Sequence, residues 1–252
     1  MKRGGGASLR LLLAAGAFAF DSWIGVVMGW NANAKRTPPL ILLGAPGAGK
    51  GTQAQVISQA LHIPHISTGA IFRQHVQQNT PLGRLAKGMV EQGILVTDEI
   101  VNNMVRERLR EKDCSHGFLL DGYPRTVAQA EAFRDIIREM GLAKPVVISL
   151  QVSYDVIVER LSGRRTCPVC QRTYNIRTSP PRQDEVCDAD GTPLEQRADD
   201  RPEAIRERLA AYERQTAPLV NFYRNEGSLL EIDGEQPPDA ISSTLQRLLA
   251  EL

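Results

Sequence analysis

The chain is poor in cysteine, in aromatic residues and in net charge. Four cysteines among 252 residues are too few for a disulfide framework, which is normally denser and sits in a shorter chain. Three of them, Cys167, Cys170 and Cys187, fall in one short segment, which points to metal binding in reducing surroundings. Cys114 stands alone and reads as a half-buried thiol before a strand. Aromatics make up 5%, thin for a protein that stacks the bases of nucleic acid. Thirty basic residues nearly balance 29 acidic ones, for a net charge of +1. No global field therefore draws nucleic acid or membrane, and an anion site has to come from local placement. The unbroken run of 18 apolar residues typical of a membrane helix is also missing. What is present is 42% hydrophobic residues, enough for a real core in one large domain or a domain with insertions.

The N-terminal stretch MKRGGGASLRLLLAAGAFAFDSWIGVVMGWNANA has a basic start, an apolar run Leu11–Phe20, and Ala32-Asn33-Ala34 resembling a cleavage site. Asp21 interrupts the apolar region. Three readings compete: a targeting peptide, a weak interfacial anchor, or a start placed too far upstream, with Met28 as the true first residue. The third is adopted, and residues 1–37 are treated as an extension ahead of the folded domain.

From Leu40 the pattern is regular. LILL is a short apolar run of buried-strand type, followed by a glycine-rich loop and a helix. HIPHIS, GFLLDG and PVVISLQV read as further strands, and LLEID as the last. Residues 69–110 read as helical, broken by Pro81 and Gly93. TVAQAEAFRDIIREMG is an amphipathic helix ended by Gly141. A long helix starts at Pro202, and a last one covers 238–252. Strands alternating with helices predict an α/β domain with a parallel sheet. Residues 164–200 break the pattern: polar, rich in Pro, Cys, Arg and Asp, with little periodicity. They read as an insertion between two helices.

Two motifs carry chemistry. Gly44-Ala45-Pro46-Gly47-Ala48-Gly49-Lys50-Gly51-Thr52 fits a phosphate-binding P-loop, with Gly51 intervening before the hydroxyl residue. Such a loop needs glycines so that its N–H groups curl around phosphate oxygens, while the lysine brings a point charge. The helix behind it adds its dipole. Alone this implies a bound nucleoside triphosphate and no more. The second motif is Cys167-x-x-Cys170 followed by Cys187, with Asp190 where a fourth cysteine would complete a knuckle. Spacing alone leaves open whether the site is broken or complete.

The loop variant G-x-P-G-x-G-K-G-T, with HISTGAIFR (65–73), GILVTDEI (93–100), GFLLDGYPRT (117–126) and RADD (197–200) in order, closely resembles adenylate kinase, in its long form with a metal-bearing lid. The likeness covers about Leu40 to the C-terminus. It implies a P-loop NTPase α/β/α three-layer fold around a central parallel sheet, with the kinase domain over 38–252. It also implies two mobile subdomains, one binding the nucleoside monophosphate (67–96) and a lid (163–200). The implied reaction is reversible transfer of the terminal phosphoryl group of ATP to AMP, giving two ADP, with Mg²⁺ accompanying ATP.

The resemblance also assigns residues. Gly47, Ala48, Gly49, Lys50, Gly51 and Thr52 would hold the ATP phosphates, with Arg164, Thr173 and Tyr174 on the lid side and Gln236, beside Gly234, near the adenine. Arg73 and Arg125 would clamp the AMP phosphate; Arg197 and Arg208 would bridge the transferred group. Arginine suits these places because its planar fork gives two parallel bonds to phosphate. Arg160, Arg165 and Arg206 have weaker claims. Asp121 would approach Mg²⁺. Thr68, Ile94, Leu95, Val96, Gly122, Tyr123, Pro124 and Gln129 would complete the AMP side, with Thr68 favouring AMP over pyrimidine monophosphates. Asp199 and Asp200 would orient arginines or hold the hinge. Asp190 becomes a full fourth ligand beside Cys167, Cys170 and Cys187, making a closed structural Zn²⁺ site, with Asp188 badly placed to share it. Ala70 stands where the family commonly has Asp, which implies altered AMP affinity. A monomer in the cytoplasm is expected, with no nucleic-acid or membrane partner. The alternatives kept open are GTP as donor to AMP and, from another class, a zinc-ribbon nucleic-acid binder.

Overall fold

The computed structural model describes residues 36–92 and 96–250. The readings of residues 1–35 and of Ile94 and Leu95 lie outside the described residues. Five strands, β1 (Leu40–Leu43), β2 (His65–Ser67), β3 (Leu119–Asp121), β4 (Val146–Gln151) and β7 (Leu229–Asp233), form one parallel sheet in the order β2-β3-β1-β4-β7. Helices α1 (Lys50–Leu61), α2 (Thr68–Gln77), α3 (Pro81–Gln92), α4 (Asp98–Leu109), α5 (Val127–Glu139), α6 (Tyr154–Ser162), α7 (Pro202–Ala211), α8 (Pro218–Asn225) and α9 (Pro238–Ala250) connect and cover it.

The two-residue period of a strand divides the core between two faces. Leu40 and Leu42 of β1 pack with Ala54 and Ile57 of α1 and with Ile241 and Leu245 of α9. Ile41 and Leu43 pack on the opposite face with Val105 of α4, Phe133 of α5 and Tyr223 of α8. Both faces of each central strand are buried, which explains the unalternated LILL. The result is the three-layer α/β/α arrangement.

The connections lead to opposite sides from β1 and β3: β1 leads to β2 on one side, and β3 leads to β4 on the other. In such sheets the crevice at the carboxyl ends of the strands collects the binding loops. The glycine loop follows β1, Thr68 follows β2, Asp121 ends β3, and Gly234 follows β7.

Two features depart from the sequence reading. The insertion contains an antiparallel pair, β5 (Arg164–Thr166) and β6 (Thr173–Asn175), where no strand is predicted. Its interior is a cluster of only Cys167, Tyr174, Cys187 and Leu194. The expected single helix after Pro202 is interrupted by a π turn, Tyr212–Thr216, in which Ala217 N–H donates to the Tyr212 carbonyl at 2.8 Å. Pro218 accounts for it: proline has no N–H for the carbonyl four residues back, and its ring clashes there. Among the described residues no helix is long and apolar enough to cross a membrane.

Candidate active site and metal cluster

The glycine loop turns sharply because its backbone leaves the region open to other residues. Gly49 caps α1 at φ 93° with nothing within 4 Å of a would-be Cβ, so conformation alone demands glycine. Gly47 (φ 85°) is crowded as well: a Cβ would lie 2.9 Å from Leu161 Cγ. Lys50 folds back over the loop, its Nζ donating to the carbonyls of Gly44 (2.7 Å) and Ala45 (2.9 Å). Burial lowers its pKa to about 8 against the opposing attraction of Asp121, with Arg125, Arg208 and Arg164 adding repulsion.

Asp121 sits beside the loop with His65 Nε2 3.4 Å from its Oδ2. Burial pushes its carboxyl up, but the His65 hydrogen bond and the charges of Lys50 and Arg125 outweigh this and hold it below the usual range. It is an ionised carboxylate at neutral pH, suited to a hard cation.

Opposite the loop, Arg73 and Arg125 converge. An imagined Cβ on Gly69 lies 3.2 Å from Arg73 Nη1 and 3.8 Å from Arg125 Nη2, so a larger residue there would press on the guanidinium groups. Arg73 Nε is buried without a hydrogen-bond partner, an expensive state that an incoming anion would relieve. Burial lowers the pKa of both arginines, yet guanidinium stays charged. Thr68, 2% exposed, donates its hydroxyl to the Gly122 carbonyl at 2.8 Å, and Arg125 Nε shares that acceptor at 2.8 Å. Gln129 is buried, with Oε1 accepting from the Arg125 amide (2.7 Å) and Nε2 donating to Asp98 (2.6 Å). One amide hydrogen and one lone pair remain for an adenine edge.

Arg164, Arg197 and Arg208 stand on the third side. Asp200, 1% exposed, accepts from Arg164 Nε (2.7 Å) and Arg208 Nη1 (3.0 Å). Asp199 lies 3.2 Å from Arg208. Arg197 Nε donates to Thr166 Oγ1 (2.9 Å) and Nη2 to Thr173 Oγ1 (3.3 Å). Arg160 donates to the Gly234 carbonyl at 2.9 Å, so it braces the loop after β7. Arg206 is exposed beside Glu203. The P-loop residues, Val96, Pro124, Thr173, Gln236 and all five arginines border one cleft of about 1480 Å³. Single-ligand pockets run to about 1,000 Å³, so there is room for two nucleotides.

Two of the expected site residues turn their side chains inward. Tyr123 is fully buried: its ring packs edge-on against Phe133 (5.7 Å) and its hydroxyl donates to Asn102 (2.9 Å), so the side chain belongs to the core. Tyr174 borders the cleft, but strand alternation turns its ring inward, where the hydroxyl accepts from the Asp188 amide (2.9 Å) and lies 3.5 Å from Cys187 Sγ. Sequence reasoning missed His65 and Asp98. Asp98 stands inside the motif GILVTDEI, but a carboxylate at a helix start reads as a dipole partner.

The cysteine segment closes on itself. Ligand atoms of Cys167, Cys170, Cys187 and Asp190 all lie within 4.8 Å of one another. Cys170 and Cys187 sulfurs are 3.5 Å apart, and Asp190 Oδ2 is 3.4 Å from Cys167 Sγ. A disulfide would need about 2.05 Å; a tetrahedron with metal–sulfur bonds of about 2.3 Å has edges of about 3.8 Å. Three thiols and one carboxylate oxygen fit zinc by softness and number. The Thr192 amide donates to Asp190 Oδ1 at 3.0 Å and so aims the carboxylate.

A cleft with a triphosphate loop on one wall and paired arginines on the other moves phosphoryl groups between two anions; the chain is a P-loop phosphotransferase. Comparison with known proteins narrows the class. The family model described as "Adenylate kinase" matches residues 42–228. Adenylate kinase of Caldanaerobacter subterraneus subsp. tengcongensis is 48% identical over 210 residues, 83% of this chain and 95% of that protein. The Moorella thermoacetica adenylate kinase is 51% identical over 210 residues, 83% and 97%, and that of Symbiobacterium thermophilum 48% over 207 residues, 82% and 96%. The chain belongs to the adenylate kinase family, the ATP:AMP phosphotransferases.

Proposed function

We propose that the enzyme transfers the terminal phosphoryl group of ATP to AMP through the residues that line the cleft, each in a defined role. The reading rests above all on the two guanidinium groups that converge beside Gly69, one of which has a buried, unpartnered nitrogen. ATP lies with its phosphates along Gly47–Thr52 under Lys50. AMP lies with its phosphate between Arg73 and Arg125 and its base against Gln129, with Thr68 beneath. Asp121 serves the Mg²⁺ that accompanies ATP, which supplies charge neutralisation between the phosphates when bound. An AMP phosphate oxygen forms the new bond to the terminal phosphorus, and the bond from that phosphorus to the bridging oxygen of ADP breaks. No base is needed, because the nucleophile is already an anion. Catalysis is positioning plus positive charge at the equatorial oxygens. Lys50, Arg125, Arg164, Arg197 and Arg208 provide it.

Residues 163–200 act as a lid and 67–96 as the AMP-binding subdomain. Gln77 Nε2 donates to the Pro168 carbonyl at 3.3 Å, one direct contact between the two segments. Closure excludes water, the competing acceptor. Cys167, Cys170, Cys187 and Asp190 hold a structural Zn²⁺. Cysteines that are free thiols rather than disulfides suit a reducing compartment such as the cytoplasm. GTP as donor is not favoured by relatives that are all named adenylate kinase.

Phosphorus NMR of the purified enzyme with ATP, AMP and Mg²⁺ tests the reaction. Two ADP should appear per ATP consumed, and none without AMP. ADP with inorganic phosphate, formed regardless of AMP, would refute it.

A further inference from the structure

Arg125 is tied at three points. Its amide donates to Gln129 Oε1 (2.7 Å) and its Nε to the Gly122 carbonyl (2.8 Å). Both partners lie within four residues. The third tie is remote: the Thr216 hydroxyl donates to the Arg125 carbonyl at 2.8 Å, across 91 residues of sequence. Thr216 is the last residue of the π turn Tyr212–Thr216. That turn continues α7 without a break, and α7 carries Arg208. Thr216 and Tyr212 both border the cleft.

The π turn decides where Thr216 points. One residue added to a helical register rotates all later residues of the helix by about 100°. With regular α-helix through Pro218, the hydroxyl would face elsewhere and the Arg125 carbonyl would lose its partner. The same short span therefore connects two arginines that reach the cleft from different layers, Arg208 from α7 and Arg125 from the loop after β3. Gln129 and Gly122 set the local shape of the Arg125 turn, but neither relates it to α7.

We infer that Thr216 is a positioning residue: through its hydroxyl, the π turn sets Arg125 in register with Arg208 for the transfer step. The inference rests on the proposed role of Arg125 at the AMP phosphate. Group transfer is sensitive to misplacement, an ångström costing up to about 10²-fold. The lost hydroxyl should therefore be felt in the reaction more than in folding, and on the AMP side more than the ATP side.

The test compares wild type, Thr216→Val, Thr216→Ala and Thr216→Ser by steady-state kinetics with each nucleotide varied, alongside melting temperatures. Valine and alanine should lower kcat/KM for AMP about tenfold, leave KM for ATP within about twofold, and shift melting little. Serine, which keeps the hydroxyl, should recover most of the loss. Alanine adds no methyl and stands in if valine disturbs folding. Wild-type AMP kinetics in the alanine variant would overturn the inference. So would a serine variant as impaired as alanine, or a KM for ATP raised as much as that for AMP. A wild type that makes no AMP-dependent ADP would instead remove the proposed function, and the inference with it. The first three outcomes require an active wild type, so the two failures are distinguishable.

Discussion

The sheet-side wall of the cleft and the lid carry similar positive charge but are held by different means. Lys50, Arg73 and Arg125 stand on loops and helices anchored to β1, β2 and β3, whose apolar residues are all buried. Lys50 and Arg125 donate to backbone carbonyls with Asp121 as their nearby counter-charge, and Arg73 Nε has no partner. Arg164 and Arg208, at the lid hinge, rest on the carboxylates of Asp199 and Asp200. The lid beyond them has a four-residue interior. A fully buried apolar side chain contributes about 1.5–3 kcal/mol, whereas a structural zinc site in a zinc-finger peptide contributes about 10–16 kcal/mol. The sheet can keep unpaired cations waiting because burial elsewhere stabilises it. Residues 164–200 have no such core: their hinge arginines rest on counter-charges, and the metal proposed for Cys167, Cys170, Cys187 and Asp190 would supply what burial does not.

The contrast can be broken first at the sheet side. Lys50→Ala should lower kcat by at least about 10³-fold, since a charge aimed at the transition state is lost from a dry site. Arg125→Ala should do nearly as much. Both proteins should keep wild-type melting, because neither side chain packs in the core. An unfolded Lys50→Ala protein would mean that the loop depends on its lysine. At the hinge, Asp200→Asn should cost about tenfold in kcat and lower melting, as removing one partner of a buried ion pair leaves charge uncompensated. Asp199→Asn should cost less, with Asp200 still in place.

A pH series sharpens the same contrast. Burial lowers Lys50 to about pKa 8 in the free enzyme, and bound phosphate raises it again. ATP binding is then at full strength below pH 8 and takes up a proton above it. Affinity should fall by up to tenfold per pH unit above 8, until the pKa of the complex is reached. Isothermal titration in buffers of different ionisation heat measures that uptake. Lys50→Arg, charged throughout, should lose the dependence. An unchanged slope in that variant would assign it to another group.

Most of the sheet and one half of the cleft are legible in the sequence. The LILL run followed by G-x-P-G-x-G-K announces β1 and the loop, because buried parallel strands need apolar runs and phosphate needs glycine. Arg73, Arg125 and Gln129 are legible through their motifs. The lid strands are not: β5 and β6 are three residues each, too short to display a period, and an interior of four residues leaves no apolar pattern to mark them. The direction of Tyr123 and Tyr174 is also hidden, since a motif names a residue without saying which face its ring takes. The π turn is a consequence of Pro218, but a helix with Pro at a first turn and another inside reads equally as one kinked rod. Partnerships over long separations, Asp98 with Gln129 or Thr216 with Arg125, exist only once the sheet has brought their loops together.

The smallest expected effect on activity is the most telling about structure. Asp190→Ala should leave kcat within about fivefold while it lowers zinc content and lid stability. Hydrogen exchange on the metal-loaded enzyme, before and after chelation, measures the difference between the two regions directly. Amides across 164–200 should lose protection by at least about tenfold, while β1, β3 and β4 keep theirs. Equal loss in sheet and lid, or an unchanged lid once zinc has left, would contradict it.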